Sequence, residues 1–116
     1  MNDESRRANR RHAGHDVHIH DTVTEEVIGR LINLSETGMS MIAHRPISGD
    51  ALYQLRFDLP DQRGLLQSVD AGAHELWTSE ATAPGQTWVG FRFIDVSPAH
   101  VVVIREWVNA PDAEHV

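Results

Sequence analysis

The chain has 116 residues, of which 41% are hydrophobic, and its formal net charge is −7 with no cysteine. This length allows one domain with one modest core, and the lack of cysteine excludes disulfides, thiolate metal sites and cysteine nucleophiles. Proteins that hold DNA or RNA polymers through their phosphates are usually basic, so the acidic charge argues against such a partner. No apolar run approaches about 18 residues and no signal peptide is predicted, so we expect a cytoplasmic protein without membrane insertion.

The chain is predicted to begin with a polar segment that is followed by six strands. Residues 1–14 are polar and are expected to form a flexible N-terminal arm. Val17 and Ile19 then alternate with His18 and His20, which is the period-two pattern of a strand. Five further strands are predicted from branched or alternating apolar residues, at 27–34, 39–43, 53–59, 65–78 and 87–94. The longest of them, at 65–78, is expected to bend or bulge at Gly72.

The end of the chain carries a helix signal. Ser97 is a good N-cap and Pro98 fits the first helical position. Val101, Ile104 and Val108 recur at helical spacing, so a helix is expected from Pro98 to about Asn109, with residues 111–116 as a tail. Six short strands followed by one helix predict a mainly β domain over residues 15–110, built as an antiparallel barrel or sandwich.

The first motif with chemical meaning is an arginine cluster. All ten positive side chains are arginines, and four of them lie within six residues: Arg6, Arg7, Arg10 and Arg11. Guanidinium groups bind phosphate oxygens bidentately, read the O6/N7 edge of guanine and stack on bases. In an acidic protein this cluster favours a small anionic ligand over a long polyanion. A solvated basic tail or a weak RNA-binding arm remains the alternative for the cluster alone.

The second motif runs from Asn33 to Gly38, between two predicted strands. Asn and Ser side chains at such a corner bond the turn backbone, and they can equally donate to a phosphate or a guanine edge. Glycine supplies a positive φ or room for close approach. Taken alone, the motif is equally compatible with a plain strand-to-strand turn.

Together the two motifs resemble the signature of the PilZ domain family, which is Arg-x-x-x-Arg followed by Asn/Asp-x-Ser-x-x-Gly. Arg6 and Arg10 match the first element, and Asn33, Ser35 and Gly38 match the second. Residues 88–94 and the helix from residue 98 to residue 109 resemble the last strand and the last helix of that family. The resemblance therefore covers about residues 5–110.

This resemblance implies a six-stranded antiparallel PilZ-type β-barrel with a C-terminal α-helix, and a stand-alone receptor for the bacterial second messenger cyclic di-GMP. It implies that Arg6 and Arg10 contact guanine and phosphate, with Arg7 as a supporting phosphate contact. Arg7 and Arg11 have the same spacing as Arg6 and Arg10, so the register of the motif stays open and Arg11 is a further candidate.

The second motif and one tryptophan complete the implied site. The resemblance assigns Asn33 and Ser35 to a guanine edge and gives Gly38 the task of keeping the turn open to the ligand. Trp77 is a candidate for stacking on a guanine. Packing in the barrel core is the other interpretation of Trp77.

The chain is expected to be a sensor rather than an enzyme, without cofactor or metal. Ser35 has no identifiable base, and His18 and His20 share one face of a strand without a convergent third ligand. Ligand binding is expected to change the conformation and to signal to a partner protein of unknown identity. Two alternatives remain: a PilZ-fold protein-interaction adaptor that does not bind nucleotide, and a small nucleic-acid-binding barrel.

Overall fold

The structure, a computed structural model, describes residues 9–45, 47 and 51–116. These residues form seven strands and one helix. The elements are β1 (Arg10–His12), β2 (His18–Asp21), β3 (Glu26–Ser35), β4 (Gly38–Ala43), β5 (Leu52–Pro60), β6 (Leu66–Glu80), β7 (Thr87–Val96) and α1 (Pro98–Val108). The strands β2 to β7 correspond to the six predicted from the sequence.

These six strands close into an antiparallel barrel. Hydrogen bonding passes from β3 through β2, β5, β6 and β7 to β4, and β4 pairs again with β3. The seventh strand, β1, pairs with the second half of β3, whereas β2 pairs with its first half. The predicted fold class, a six-stranded antiparallel barrel with a C-terminal helix, is confirmed.

The core fills the barrel and reaches the helix. Strand β5 illustrates the alternation of buried and exposed residues along a strand. Leu55, Phe57 and Leu59 are buried, while Arg56 and Asp58 are exposed. The largest fully buried side chains come from all six barrel strands and from the helix: Ile19, Leu31, Leu34, Met39, Met41, Leu55, Phe57, Leu59, Val69, Val89, Ile104 and Val108.

Helix α1 begins at the N-cap residue Ser97. The Ser97 hydroxyl accepts a hydrogen bond from the His100 N–H, and Pro98 occupies the first turn. Its buried residues, Ile104, Trp107 and Val108, pack against β3, β5 and β6. With 11 residues it is too short to cross a bilayer, and the described residues contain no other helix.

Two irregularities bend β6. The pairing with β7 shifts register between Gly72 and Ala73, which confirms the bulge expected near Gly72, and it shifts again between Glu75 and Trp77. A bulge leaves one residue unpaired and re-aims the side chains that follow it. The second shift therefore determines how Trp77 sits on the barrel surface.

The two chain ends differ from the expectation of an arm and a tail. Residues 1–8 lie outside the described residues. Arg10–His12, which were predicted to belong to a flexible arm ending at residue 14, form strand β1 instead. The tail lies beside β1: the His12 N–H donates to the Glu114 carbonyl, and the Val116 N–H donates to the Arg10 carbonyl. Both pairings are made by backbone atoms, so the polar side chains of these segments give no sign of them in the sequence.

Candidate functional site

Strand β1 brings the arginine motif to the Asn-x-Ser-x-x-Gly turn. Arg10 pairs with Ser35 across the β1–β3 ladder. The Nη1 of Arg10 donates to Asn33 Oδ1 at 2.6 Å, and its Nη2 donates to Ser35 Oγ at 3.4 Å. The two motifs, more than twenty residues apart in the chain, therefore meet in one hydrogen-bonded cluster.

The Arg10 guanidinium is partly withdrawn from water. Burial lowers the pKa of Arg10 from its ordinary value, because desolvation disfavours the charged form. No carboxylate of the described residues forms an ion pair with it. A half-buried cation with neutral hydrogen-bond partners is well suited to receive an anion, since the anion would replace lost hydration with an opposite charge.

The turn itself is held by Ser35. Its side-chain oxygen accepts from the Thr37 N–H at 3.2 Å and lies 3.3 Å from the Gly38 carbonyl, to which it donates. The residue is only 2% exposed. The Ser35 hydroxyl therefore shapes the turn from within, and its reach toward a ligand is limited by its neighbours.

Gly38 is required by backbone packing. A Cβ at this position would lie 2.3 Å from the Phe91 carbonyl oxygen on the neighbouring strand β7. Gly38 is not among the residues with positive φ, so close approach is the reason for glycine here. Its place in the motif thus follows from the contact between β4 and β7, which holds the turn at the mouth of the candidate site.

Asn33 connects the turn to the next strand. Its Oδ1 accepts from Arg10 and also from the Ser40 hydroxyl, at 2.7 Å. Two donors on one oxygen fix the amide plane, and no residue in the described ranges accepts a hydrogen bond from the Asn33 amide nitrogen. That nitrogen carries two N–H donors suited to the acceptor atoms of a base or a phosphate.

Trp77 lies over Gly90 at the same place. The second bulge of β6 sets Trp77 opposite Gly90, and a Cβ on Gly90 would meet the indole ring at 2.2 Å. The side chain is 47% exposed, so the alternative interpretation of Trp77 as a barrel-core residue is wrong. The indole packs on the backbone of Gly90, and about half of its surface stays accessible.

A cleft of about 260 Å³ joins these groups, and Arg10, Asn33 and Trp77 all line it. Ser40, Leu76 and Gly90 also line the cleft and were missed from the sequence. The only available signal was the position of Gly90 within an apolar strand, where glycine often marks close approach. The cleft thus offers a cation, an amide and an aromatic face in one small volume.

Of the remaining predicted arginines, the structure describes Arg11, which does not line this cleft. Arg11 Nη1 donates to the Trp107 carbonyl at 2.7 Å, and the guanidinium lies 4.1 Å from the centroid of the Trp107 ring. Arg6 and Arg7 lie outside the described residues. On the described part of the chain, Arg10 is therefore the motif arginine that meets Asn33 and Ser35.

The turn is also tied to the helix. Arg105, in the last turn of α1, donates through Nη2 to Glu36 Oε1 at 3.1 Å. This hydrogen bond raises the pKa of Arg105. Elsewhere, His18 and His20 lie on the exposed side of β2, and residues 9–45, 47 and 51–116 hold no group of three or more side chains able to bind a metal.

The PilZ domain family model matches residues 4–110. This chain belongs to the PilZ domain family. PilZ domains are regulatory receptor domains and not enzymes. No curated protein matches the sequence significantly.

Two solved PilZ-type structures are similar in fold. The PilZ domain of YcgR from Escherichia coli, solved with c-di-GMP, has 19% identity and a TM-score of 0.65, covering 89% of this chain and 88% of that one. The Bacillus subtilis inhibitor of motility, MotI/DgrA, has 13% identity and a TM-score of 0.73 over 88% of this chain. This PilZ chain spans about half of the Bacillus protein, 48%.

Proposed function

We propose that this PilZ domain is a bacterial, cytoplasmic receptor for cyclic di-GMP. One observation carries the proposal: Arg10 of the first motif is hydrogen-bonded to Asn33 and Ser35 of the second, beside the exposed face of Trp77. Membership of the PilZ family and the c-di-GMP complex of the YcgR PilZ domain support the same ligand.

The ligand chemistry matches the cleft group by group. Cyclic di-GMP has two phosphates and two guanines. The Arg10 guanidinium suits a phosphate oxygen or the O6/N7 edge of guanine, and the Asn33 amide suits a base edge. The Trp77 face suits stacking, which contributes roughly 1–3 kcal/mol per base in comparable sites.

The remaining motif residues are proposed to act around these three contacts. Ser35 and Gly38 position the turn and Asn33, while Arg6 and Arg7 supply additional phosphate contacts from the segment that precedes residue 9. The two internal hydrogen bonds use two of the five N–H groups of Arg10, so the others remain for the ligand. The internal bonds thus keep the cation in place before binding, which lowers the entropic cost of association.

The receptor is proposed to signal through β1. Ligand binding at Arg10 stabilises one arrangement of β1 against β3, and β1 also pairs with residues 114–116 of the tail. A ligand shifts such an equilibrium only by its difference in affinity for the two states. A partner protein would read the favoured arrangement of β1 and the tail.

Calorimetric titration of the full chain with cyclic di-GMP tests the proposal, with GTP and cyclic di-AMP as ligand controls. We expect heat with cyclic di-GMP alone and clearly weaker binding in Arg10→Met. The matched variant is Arg30→Met, because Arg30 is also partly exposed and lies in β3 but makes only a 3.7 Å ion pair with Asp16. Arg30→Met is expected to bind normally.

A PilZ-fold adaptor that does not bind nucleotide is the second candidate. It is favoured by the same cluster, because Arg10 already has two hydrogen-bond acceptors inside the protein. No heat with any nucleotide from the folded wild-type chain would support the adaptor and contradict the receptor. Binding of long oligonucleotides with steep salt dependence would instead support a nucleic-acid-binding barrel.

A further inference from the structure

A second cavity lies on the other side of β1 from the Arg10 cleft. Its volume is about 420 Å³, and its walls come from Arg11, the C-terminal end of α1, the start of the tail and the turn between β5 and β6. None of Arg10, Asn33 and Trp77 lines it. An occupant of this cavity would therefore be distinct from the ligand of the first cleft.

The charge of this cavity is negative. Asp61, Glu106 and Asp112 line it together with one cation, Arg11, which is already engaged with Trp107. Asp61 forms an ion pair with Arg63, so the unpaired carboxylates are Glu106 and Asp112. Within the described ranges neither Glu106 nor Asp112 forms an ion pair. The C-terminal end of a helix adds a partial negative charge. An anion is therefore disfavoured in the cavity and a cation is favoured.

The cavity wall also holds two hydrogen-bond donors that need acceptors. Trp107 Nε1 and Arg11 Nε are buried, and neither has a hydrogen-bond partner in the part of the chain that the structure describes. Trp107 is 4% exposed. Because buried N–H groups are nearly always hydrogen-bonded, these two donors would gain from an occupant that brings acceptor oxygens.

We propose that this cavity is the docking site for a segment of a partner protein that carries Arg or Lys side chains. The basic side chains would pair with Glu106 and Asp112, and backbone carbonyls would accept from the two buried donors. The alkyl stems of the same side chains would pack on Trp107 and Pro111. A polyamine supplies the cations without the acceptors, and a nucleotide supplies the wrong charge, so a basic peptide fits both observations. The inference stands apart from cyclic di-GMP binding.

The test is an NMR titration of the full 15N-labelled chain with the peptide Ac-Gly-Arg-Leu-Arg-Pro-Arg-Gly-NH2 at about 50 mM salt, where screening is weak. The three indole N–H signals are assigned with Trp77→Phe and Trp88→Phe. We expect saturable shifts of the Trp107 indole and of the amides of residues 61, 62, 106, 110 and 112. Spermidine and the peptide with Glu in place of each Arg should leave the Trp107 indole unmoved.

A charge-matched pair of double variants separates a specific site from general attraction. Glu106→Gln with Asp112→Asn should weaken the Arg peptide about fivefold, as expected for two exposed ion pairs. Glu80→Gln with Asp95→Asn removes the same charge from exposed residues that do not line the cavity and should leave the affinity nearly unchanged. The proposal is overturned by equal weakening in both double variants, by shifts centred elsewhere, or by no saturable shift with the Arg peptide.

Discussion

Arg10 and Arg11 are neighbours in β1, yet their guanidinium groups bind on opposite faces of the strand. Arg10 donates to Asn33 and Ser35, whereas Arg11 donates to the Trp107 carbonyl and stacks on the Trp107 ring. The alternation of side chains along a strand causes this division. The two possible registers of the Arg-x-x-x-Arg motif are therefore not equivalent, and the contacts favour the register that contains Arg10.

Replacing each arginine by methionine should distinguish a ligand contact from a purely structural one. Arg10→Met is expected to weaken cyclic di-GMP binding about 5- to 150-fold, from the loss of one bidentate contact, and to lower the free energy of unfolding by about 1 kcal/mol, because its hydrogen bonds to Asn33 and Ser35 are lost. Arg11→Met should lower the free energy of unfolding by about 1–2 kcal/mol, because a cation–π contact and a hydrogen bond are lost, and should change the affinity less than about threefold. Calorimetry and urea unfolding measure the two effects. The opposite distribution would assign the motif to Arg7 and Arg11.

Gly90→Ala should reduce ligand affinity through Trp77. The new methyl group would meet the indole ring at 2.2 Å, and the half-exposed ring can swing away more easily than backbone can move. We expect cyclic di-GMP binding to fall about tenfold, from the loss of part of a stacking contact, as it should in Trp77→Ala. Calorimetry on both variants and on the double variant checks this, because the two effects should not add.

The matched control for this glycine is Gly14→Ala. A Cβ on Gly14 has no heavy atom within 4 Å, and its φ is not positive. The control should bind cyclic di-GMP with wild-type affinity. Normal binding by Gly90→Ala would show that Trp77 does not contact the ligand.

Gly38→Ala should act mainly on stability. The atom that its Cβ would meet, at 2.3 Å, is the backbone carbonyl oxygen of Phe91, so β4 and β7 must separate locally. Overpacking of this kind costs about 1–3 kcal/mol. Urea unfolding should show a lower midpoint with an unchanged slope. A midpoint equal to that of Gly14→Ala would mean that the sheet adjusts at no cost.

The elements predicted correctly are those with strong local signals. The alternation around Phe57 identified β5, and the Ser97-Pro98 pair marked the start of α1 within one residue. The bulge at Gly72 also followed from a local rule. In each case the pattern lies within a few residues and needs no knowledge of what packs against it.

The parts missed depend on distant partners. Strand β1 has the polar sequence Arg-Arg-His and exists because its backbone pairs with β3 and with the tail, about 100 residues away. The setting of Trp77 depends on a second bulge that no glycine or proline marks. The motif residues themselves were identifiable, but their different contacts, with Asn33 and Ser35 for Arg10 and with the helix for Arg11, follow only from the register of β1.

Ser97→Ala tests how much the N-cap of α1 contributes to the stability of the domain. The Ser97 hydroxyl accepts from the His100 N–H at 3.3 Å, and loss of an N-cap of this type costs about 1 kcal/mol. For a domain of this size that is a fall of several degrees in melting temperature, measured by calorimetry. Ser97→Asp should keep the bond and lose little, because an acidic side chain also suits the helix N-terminus. Cyclic di-GMP affinity should not change in either variant, because Ser97 does not line the Arg10 cleft. An unchanged melting temperature in Ser97→Ala would mean that the packing of Ile104, Trp107 and Val108 holds the helix without the cap.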